Sequence, residues 1–140
     1  MMTQSSGLQE KQNERLPMLL SKLWVFLSLN YILCDLISNM EVSVIRGLFA
    51  GNIAGIPMTE GFLLFAGISL EIPILMVVLS TILPYKINRI MNIVAGILMI
   101  LYQLGSFFAG SDTTLHYMFF SAIEIAGNAS IIVLAFRWKR

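Results

Sequence analysis

Four long apolar stretches dominate the chain, at residues 20–39, 59–83, 88–109 and 115–137. Each is long enough for the ~20 residues that cross the hydrocarbon core of a bilayer. Because lipid offers the backbone no hydrogen-bonding partner, and these stretches lack the alternation of strands, we expect α-helices. The sequence therefore predicts an all-α protein, a four-helix transmembrane bundle. A polar N-terminal tail would occupy residues 1–18, the membrane domain residues 19–138, and a basic end residues 139–140.

The composition excludes several classes of protein. Of the 140 residues, 57% are hydrophobic and only 12% are charged, whereas soluble domains are about 25% charged. A soluble enzyme and a disordered chain are therefore excluded. The net charge of +1 leaves no basic excess for nucleic acid. With one cysteine, Cys34, and one histidine, His116, the chain has no intrachain disulfide and no His-His metal motif, so we expect no metal and no cofactor.

The basic residues predict the orientation of the bundle. Eight of the nine Lys and Arg residues flank the same ends of the four stretches, and only Arg46 lies at the other ends. Cytoplasmic loops carry such an excess, so the N- and C-termini should be cytoplasmic, with the protein in the cell membrane. Trp24 and Trp138 should then lie at the cytoplasmic interface, as aromatic-belt residues.

The connections are short except for the first one. Residues 40–57 contain several glycines and a proline, which favour turns. Within them, the segment IRGLFAGNIAGI predicts a short amphipathic helix in the membrane interface. The turns after Leu83 and at GSDTT are short, so the helices that they join should be antiparallel neighbours.

Each stretch carries polar residues at spacings of three and four, which places them on one helix face. If these faces turn inward, Asp35, Glu71 and Glu124 meet Gln103 in the outer half of the bundle. A carboxylate at the bilayer centre costs at least about 2.5–3.5 kcal/mol, and no Lys or Arg lies at this depth. We therefore expect at least one or two of the three acids to be protonated at neutral pH.

These residues form the predicted site. The candidates for binding a ligand or cation are Asp35, Glu71, Glu124, Asn30, Tyr31, Gln103 and Asn128. The alternative for the two glutamates is a structural role, in which protonated carboxyls bond to Asn, Gln or Tyr across helices at roughly 0.6–2 kcal/mol each. For His116 we expect a surface position, and for Cys34 a packing role.

Several segments resemble a known family. They are LWVFLSLNYILCDL, TEGFLLFAGISLEIPILMVVLS, NRIMNIVAGI and YMFFSAIEIAGNASIIVLAFRW, and they are similar to small prokaryotic four-helix membrane proteins that form a domain of unknown function. The resemblance implies the same fold and no established activity. A more distant likeness is to DoxX-like and sterol-isomerase-related (EXPERA) proteins. The latter pair an acid on helix 1 with an acid beside a helix 2 proline, and Asp35 and the Glu71-Ile72-Pro73 sequence are similar in kind.

Three functions remain open at this stage. The first is binding or transport of a small cationic or lipophilic ligand, such as a cation or an amphipathic amine, coupled to proton exchange at the carboxylates. The second is a membrane enzyme acting on a lipid-like substrate, with one carboxyl as proton donor and another as base. The third is a structural or accessory subunit. A homodimer would enclose a longer path, although the sequence has no clear dimerisation motif.

Overall fold

The computed structural model describes residues 2–53, 55–109 and 114–139. These residues form five helices, namely α1 (Met2–Ser38), α2 (Val42–Phe49), α3 (Glu60–Ile82), α4 (Tyr85–Ala109) and α5 (Leu115–Arg137), and two short strands, β1 (Asn52–Ile53) and β2 (Ile56–Pro57). Four helical segments are long and apolar enough to cross a membrane: Asn13–Ser38, Glu60–Ile82, Tyr85–Phe108 and Leu115–Arg137. The predicted all-α, four-helix membrane protein is confirmed.

The first helix is longer than predicted. It begins at Met2 rather than at residue 20, and it passes through Pro17. The segment before Pro17 contains Gln, Glu, Lys and Arg, which are good helix formers, and a proline removes only one helical hydrogen bond. The predicted tail is therefore helical from Met2 onward, because helix formation outside the membrane does not depend on hydropathy.

The four long helices form a bundle in which α1 and α4 lie diagonally opposite. Both pack against α3 and α5. The Ser21 hydroxyl donates to the Val77 carbonyl at 2.7 Å, and the Tyr85 hydroxyl to the Trp138 carbonyl at 2.8 Å. These contacts place the α3–α4 turn and the end of α5 at one end of the bundle, which we call the basic end. The predicted turn at residues 110–113 and the terminal Arg140 lie outside the described residues.

The connection after α1 lies at the opposite end, which we call the connector end. The predicted short helix is present, but it spans Val42–Phe49 and ends before Gly51, whose φ is 74°; its position in the membrane interface stays a prediction. The remainder of the predicted helix is an antiparallel hairpin in which Asn52 faces Pro57. Gly55, with φ 82°, supplies the left-handed conformation between its strands.

Two tryptophans are buried inside the bundle. Trp24 is 0% exposed and Trp138 is 4% exposed, so neither indole is on the outer surface as a belt residue would be, while their depth at the cytoplasmic interface stays a prediction. The Trp24 indole N–H donates to the Asn92 side-chain oxygen at 2.7 Å, across the centre of the bundle. Because this polar group is satisfied by the protein, the indole has no need of interfacial water.

Candidate functional site

A cavity of about 100 Å³ lies in the half of the bundle nearer the connector end. All four long helices contribute to its wall. The lining residues are Tyr31, Cys34, Asp35, Leu70, Tyr102, Gln103, Ser106, Tyr117 and Glu124. Three tyrosines, two acids, an amide and a hydroxyl make this wall polar, although it lies between membrane-spanning helices.

Glu124 is the most deeply buried acid at this cavity. Its side chain is 1% exposed, and neither carboxyl oxygen has a hydrogen-bond partner. Ser121 and Asn128, three residues before and four after, are buried on the same face of α5, as the sequence spacing predicts. Buried carboxyl oxygens are normally bonded, so an orphaned pair at a polar cavity marks a place where a group can bind.

No basic side chain neutralises Glu124 among the described residues that line the cavity. Arg89 on α4 is engaged at the basic end. Its Nε donates to the Ala135 carbonyl at 3.1 Å, and its Nη2 donates to the Phe136 carbonyl at 2.9 Å. Arg89 thus satisfies carbonyls in the last turn of α5, where a cation is favoured by the helix dipole.

Asp35 lies at the mouth of the cavity. It contributes to the lining, yet the residue is exposed, and it lies less than one turn before the end of α1 at Ser38. His116 Nε2 is 3.2 Å from the Ser38 hydroxyl, which connects the start of α5 to this end of α1. Asp35 is therefore within reach of the connector end, whereas Glu124 is enclosed.

Hydrogen bonds hold the other polar groups of the cavity in place. Asn128 donates to the Tyr31 hydroxyl at 2.7 Å, which leaves the Tyr31 proton for an acceptor in the cavity. Gln103 donates to the Ser121 hydroxyl at 2.5 Å and to the Tyr117 hydroxyl at 3.4 Å. The Gln103 side-chain nitrogen is thus directed toward α5, and the orientation of both phenols is fixed by a neighbour.

The structure brings together only part of the predicted set. Asp35, Glu124, Tyr31 and Gln103 line the cavity. Asn128 is buried behind Tyr31, and Asn30 donates to the Phe26 carbonyl of its own helix at 3.2 Å. Of the predicted residues, Glu71 departs most from expectation.

Glu71 does not lie in the interior. It is exposed on the outside of the bundle and is absent from the cavity wall. The buried face of α3 is instead formed by Ser69, Pro73, Met76 and Ser80. The predicted inward direction of Glu71 is therefore wrong: the packing face of α3 is marked by the two serines, and the acidic residue lies away from it. Neither Glu71 nor Asp35 is buried, so the predicted set of buried carboxylates is reduced to Glu124.

Sequence reasoning missed Tyr102 as a wall residue. Ala95, Met99, Tyr102 and Ser106 follow one another at spacings of four, three and four, which is the signature of one helix face. Met99 is 1% exposed, so this face points into the bundle. Following the face from Met99 to Ser106 identifies Tyr102 as a wall residue.

The half of the bundle nearer the basic end is closed by a bonded polar layer. Asn92 accepts from Trp24 at 2.7 Å and from Ser80 at 3.2 Å, and it donates to the Asn88 side-chain oxygen at 2.7 Å. Asn88 in turn donates to the Ser80 carbonyl at 2.6 Å. Every side-chain polar atom of this layer has a partner, in contrast to Glu124.

One comparison with known protein families gave a match. A model of a family of unknown function, DUF6326, matches residues 8–140. The chain belongs to this family. The match spans all four membrane-crossing segments, which confirms the predicted resemblance to a domain of unknown function. No curated protein and no solved structure gave a significant match.

Proposed function

We propose that this protein binds a small cation at Glu124 in exchange for a proton, in the cell membrane of a prokaryote. The observation that carries the proposal is the orphaned Glu124 carboxyl, enclosed in a polar cavity whose described wall contains no Lys, Arg or His. An ionised carboxylate there lacks a partner, so it holds either a proton or a cation. Binding a cation then requires that the proton leave.

The size of the cavity selects the class of ligand. Pockets for drug-sized ligands occupy roughly 300–1,000 Å³, whereas this cavity has about 100 Å³. The sterol or amphipathic amine that an EXPERA-like site would take is too large, and Glu71 of the EXPERA-like pair lies outside the cavity. A dehydrated or partly hydrated monovalent cation, or methylammonium, fits the available volume.

The chemistry of the wall favours a hard cation. Carboxyl, phenol, hydroxyl and amide oxygens are the ligands that such cations prefer, and the cavity presents all four kinds. Asp35 at the mouth adds a second carboxyl group, which is accessible to protons and attracts cations from the connector end when it is ionised.

The test is proton release on addition of a cation. Purified protein in weakly buffered detergent solution, with a pH-indicator dye, receives NaCl, KCl, LiCl or methylammonium chloride. We expect at least one of these salts to release about one proton per chain, and choline chloride at the same ionic strength to release none. Glu124→Gln should abolish the release, because an amide neither ionises nor carries charge.

Glu71→Gln is the matched control. It makes the same chemical change on the outside of the bundle, so the release should persist. Absence of release with all four salts, or equal release from Glu124→Gln, would overturn the proposal. In that result, a less thermostable Glu124→Gln protein would assign Glu124 to the structural role.

Cation binding should also depend on pH. Protons compete for the Glu124 carboxyl, so the apparent affinity must rise with pH and then level off once the empty site is ionised. Where the empty site is protonated, displacement of one proton makes the affinity rise about tenfold per pH unit. Radioactive sodium binding between pH 5 and 9 measures this slope, and a flat profile would contradict proton exchange.

A further inference from the structure

The outward position of Glu71 has no explanation within a single chain. Glu71 is the central residue of α3, which spans Glu60–Ile82, and it lies ~16 Å along the helix axis from either end. The residue is exposed. In a membrane this depth is the hydrocarbon midplane, where an acidic side chain facing lipid costs at least about 2.5–3.5 kcal/mol.

The surface around Glu71 is apolar, and one position on it is a glycine with open space around it. We define the Glu71 face as Leu64, Gly67, Glu71, Leu75 and Val78, which are all exposed at helical spacings on α3. A Cβ atom added at Gly67, one turn from Glu71, would meet nothing within 4 Å. The face thus combines one polar group at its centre with a position where another backbone can approach closely.

We propose that the Glu71 face is the interface of a parallel homodimer, in which Glu71 pairs with the same residue of a second copy. Two copies inserted with the same orientation are related by a two-fold axis along the membrane normal, so identical residues lie at identical depth. A protonated carboxyl both donates and accepts a hydrogen bond. Two Glu71 side chains across the axis therefore satisfy each other.

The remaining outward side chains support self-association at this helix. At mid-depth, the described outer surfaces of α1 and α4 present Val, Leu, Ile, Phe and Met. On α5 the exposed Ser130 hydroxyl already donates to the Ala126 carbonyl at 2.8 Å. Close backbone approach at small residues and hydrogen bonds between polar side chains are the two main contributions to helix association in lipid, and α3 carries both.

Cysteine cross-linking in native membranes tests the interface. In a Cys34→Ala background, Leu75→Cys on the Glu71 face should form a disulfide dimer on mild oxidation. Leu98→Cys on α4 is the matched control, because the two leucines are 50% and 47% exposed. Cross-linking of Leu75→Cys well above Leu98→Cys is expected, whereas equal yields or no dimer would overturn the proposal.

Substitutions on the Glu71 face distinguish the contribution of the Glu71 hydrogen bond from that of close backbone approach at Gly67. Added to Leu75→Cys, Glu71→Leu should abolish the cross-link, and Glu71→Gln should keep it because an amide also donates and accepts. Gly67→Leu should abolish it by preventing close approach, whereas Gly105→Leu, at another position open within 4 Å, should keep it. Undiminished cross-linking in both Glu71→Leu and Gly67→Leu would overturn the proposed geometry. Proton release by cations, which depends on Glu124, should be unchanged in the Glu71→Gln protein.

Discussion

Two polar side chains that are buried to a similar extent have opposite surroundings. Asn92 is 0% exposed and is bonded to three other side chains, whereas Glu124 is 1% exposed and its carboxyl has no partner. The burial of both follows from the sequence, because each belongs to a polar line on its helix. Their hydrogen bonds cannot be predicted from the sequence, because the partners lie on other helices. Which partners are reached depends on how each helix is rotated about its axis.

A comparison of the two tryptophans measures how much one buried hydrogen bond, from Trp24 to Asn92, contributes to stability. Both are buried, but the Trp24 N–H donates at 2.7 Å and the Trp138 N–H has no partner. Trp24→Phe should lower the free energy of unfolding by about 0.5–1.5 kcal/mol more than Trp138→Phe does, since it removes one hydrogen bond while the Asn92 oxygen still accepts from Ser80. Thermal unfolding in detergent measures the difference, and equal losses would contradict the role of this bond.

The sequence predicts the helix ends that are set by the thickness of the bilayer, and it does not predict the end that lies in a polar segment. The ends of α3, α4 and α5 lie within three residues of the predicted 59–83, 88–109 and 115–137, because the hydrocarbon thickness sets the length of an apolar run. The start of α1 was missed, since it lies in a polar segment. The rotation of α3 was also missed, because lipid and protein neighbours are equally apolar.

Helix contacts at glycines give a prediction for α5. A Cβ atom at Gly127 would lie 2.6 Å from Cδ2 of Leu27, which is 0% exposed and cannot move freely. Gly127→Leu should therefore separate α5 from α1 and destabilise the bundle by several kcal/mol, as overpacking of about 1–3 kcal/mol per insertion suggests for smaller changes. Gly105→Leu, with no atom within 4 Å, should be tolerated. Melting temperatures in detergent distinguish them, and similar values would contradict this packing.

At the scale of the whole molecule, the basic residues collect at one end. Lys22, Lys86, Arg89 and Arg137 lie on segments that meet at the basic end, and Arg46 lies on α2 at the other. The sequence indicated this asymmetry directly, because it depends only on the order of spans along the chain. The volume of the cavity could not be predicted in this way, since it depends on packing among four helices.

The charge asymmetry predicts which end faces the cytoplasm. In intact cells and a Cys34→Ala background, a membrane-impermeant maleimide should label Ser43→Cys, on the exposed surface of α2. It should label Lys139→Cys, beyond α5, only after the membrane is opened. Cytoplasmic Lys and Arg bias sets this orientation, and the reverse labelling pattern would show that the bundle is inserted the other way.

The bonded layer around Asn92 has a kinetic consequence. A solute that leaves Glu124 toward the basic end must separate Trp24, Ser80 and Asn88 from Asn92, and each buried group left without its bond costs about 1–3 kcal/mol. Return past Asp35 requires no such separation. We therefore expect occupancy to equilibrate with one compartment much faster than with the other. If Glu124 binds a cation as proposed, its occupancy would then follow the ion concentration on one side of the membrane without dissipating the gradient across it.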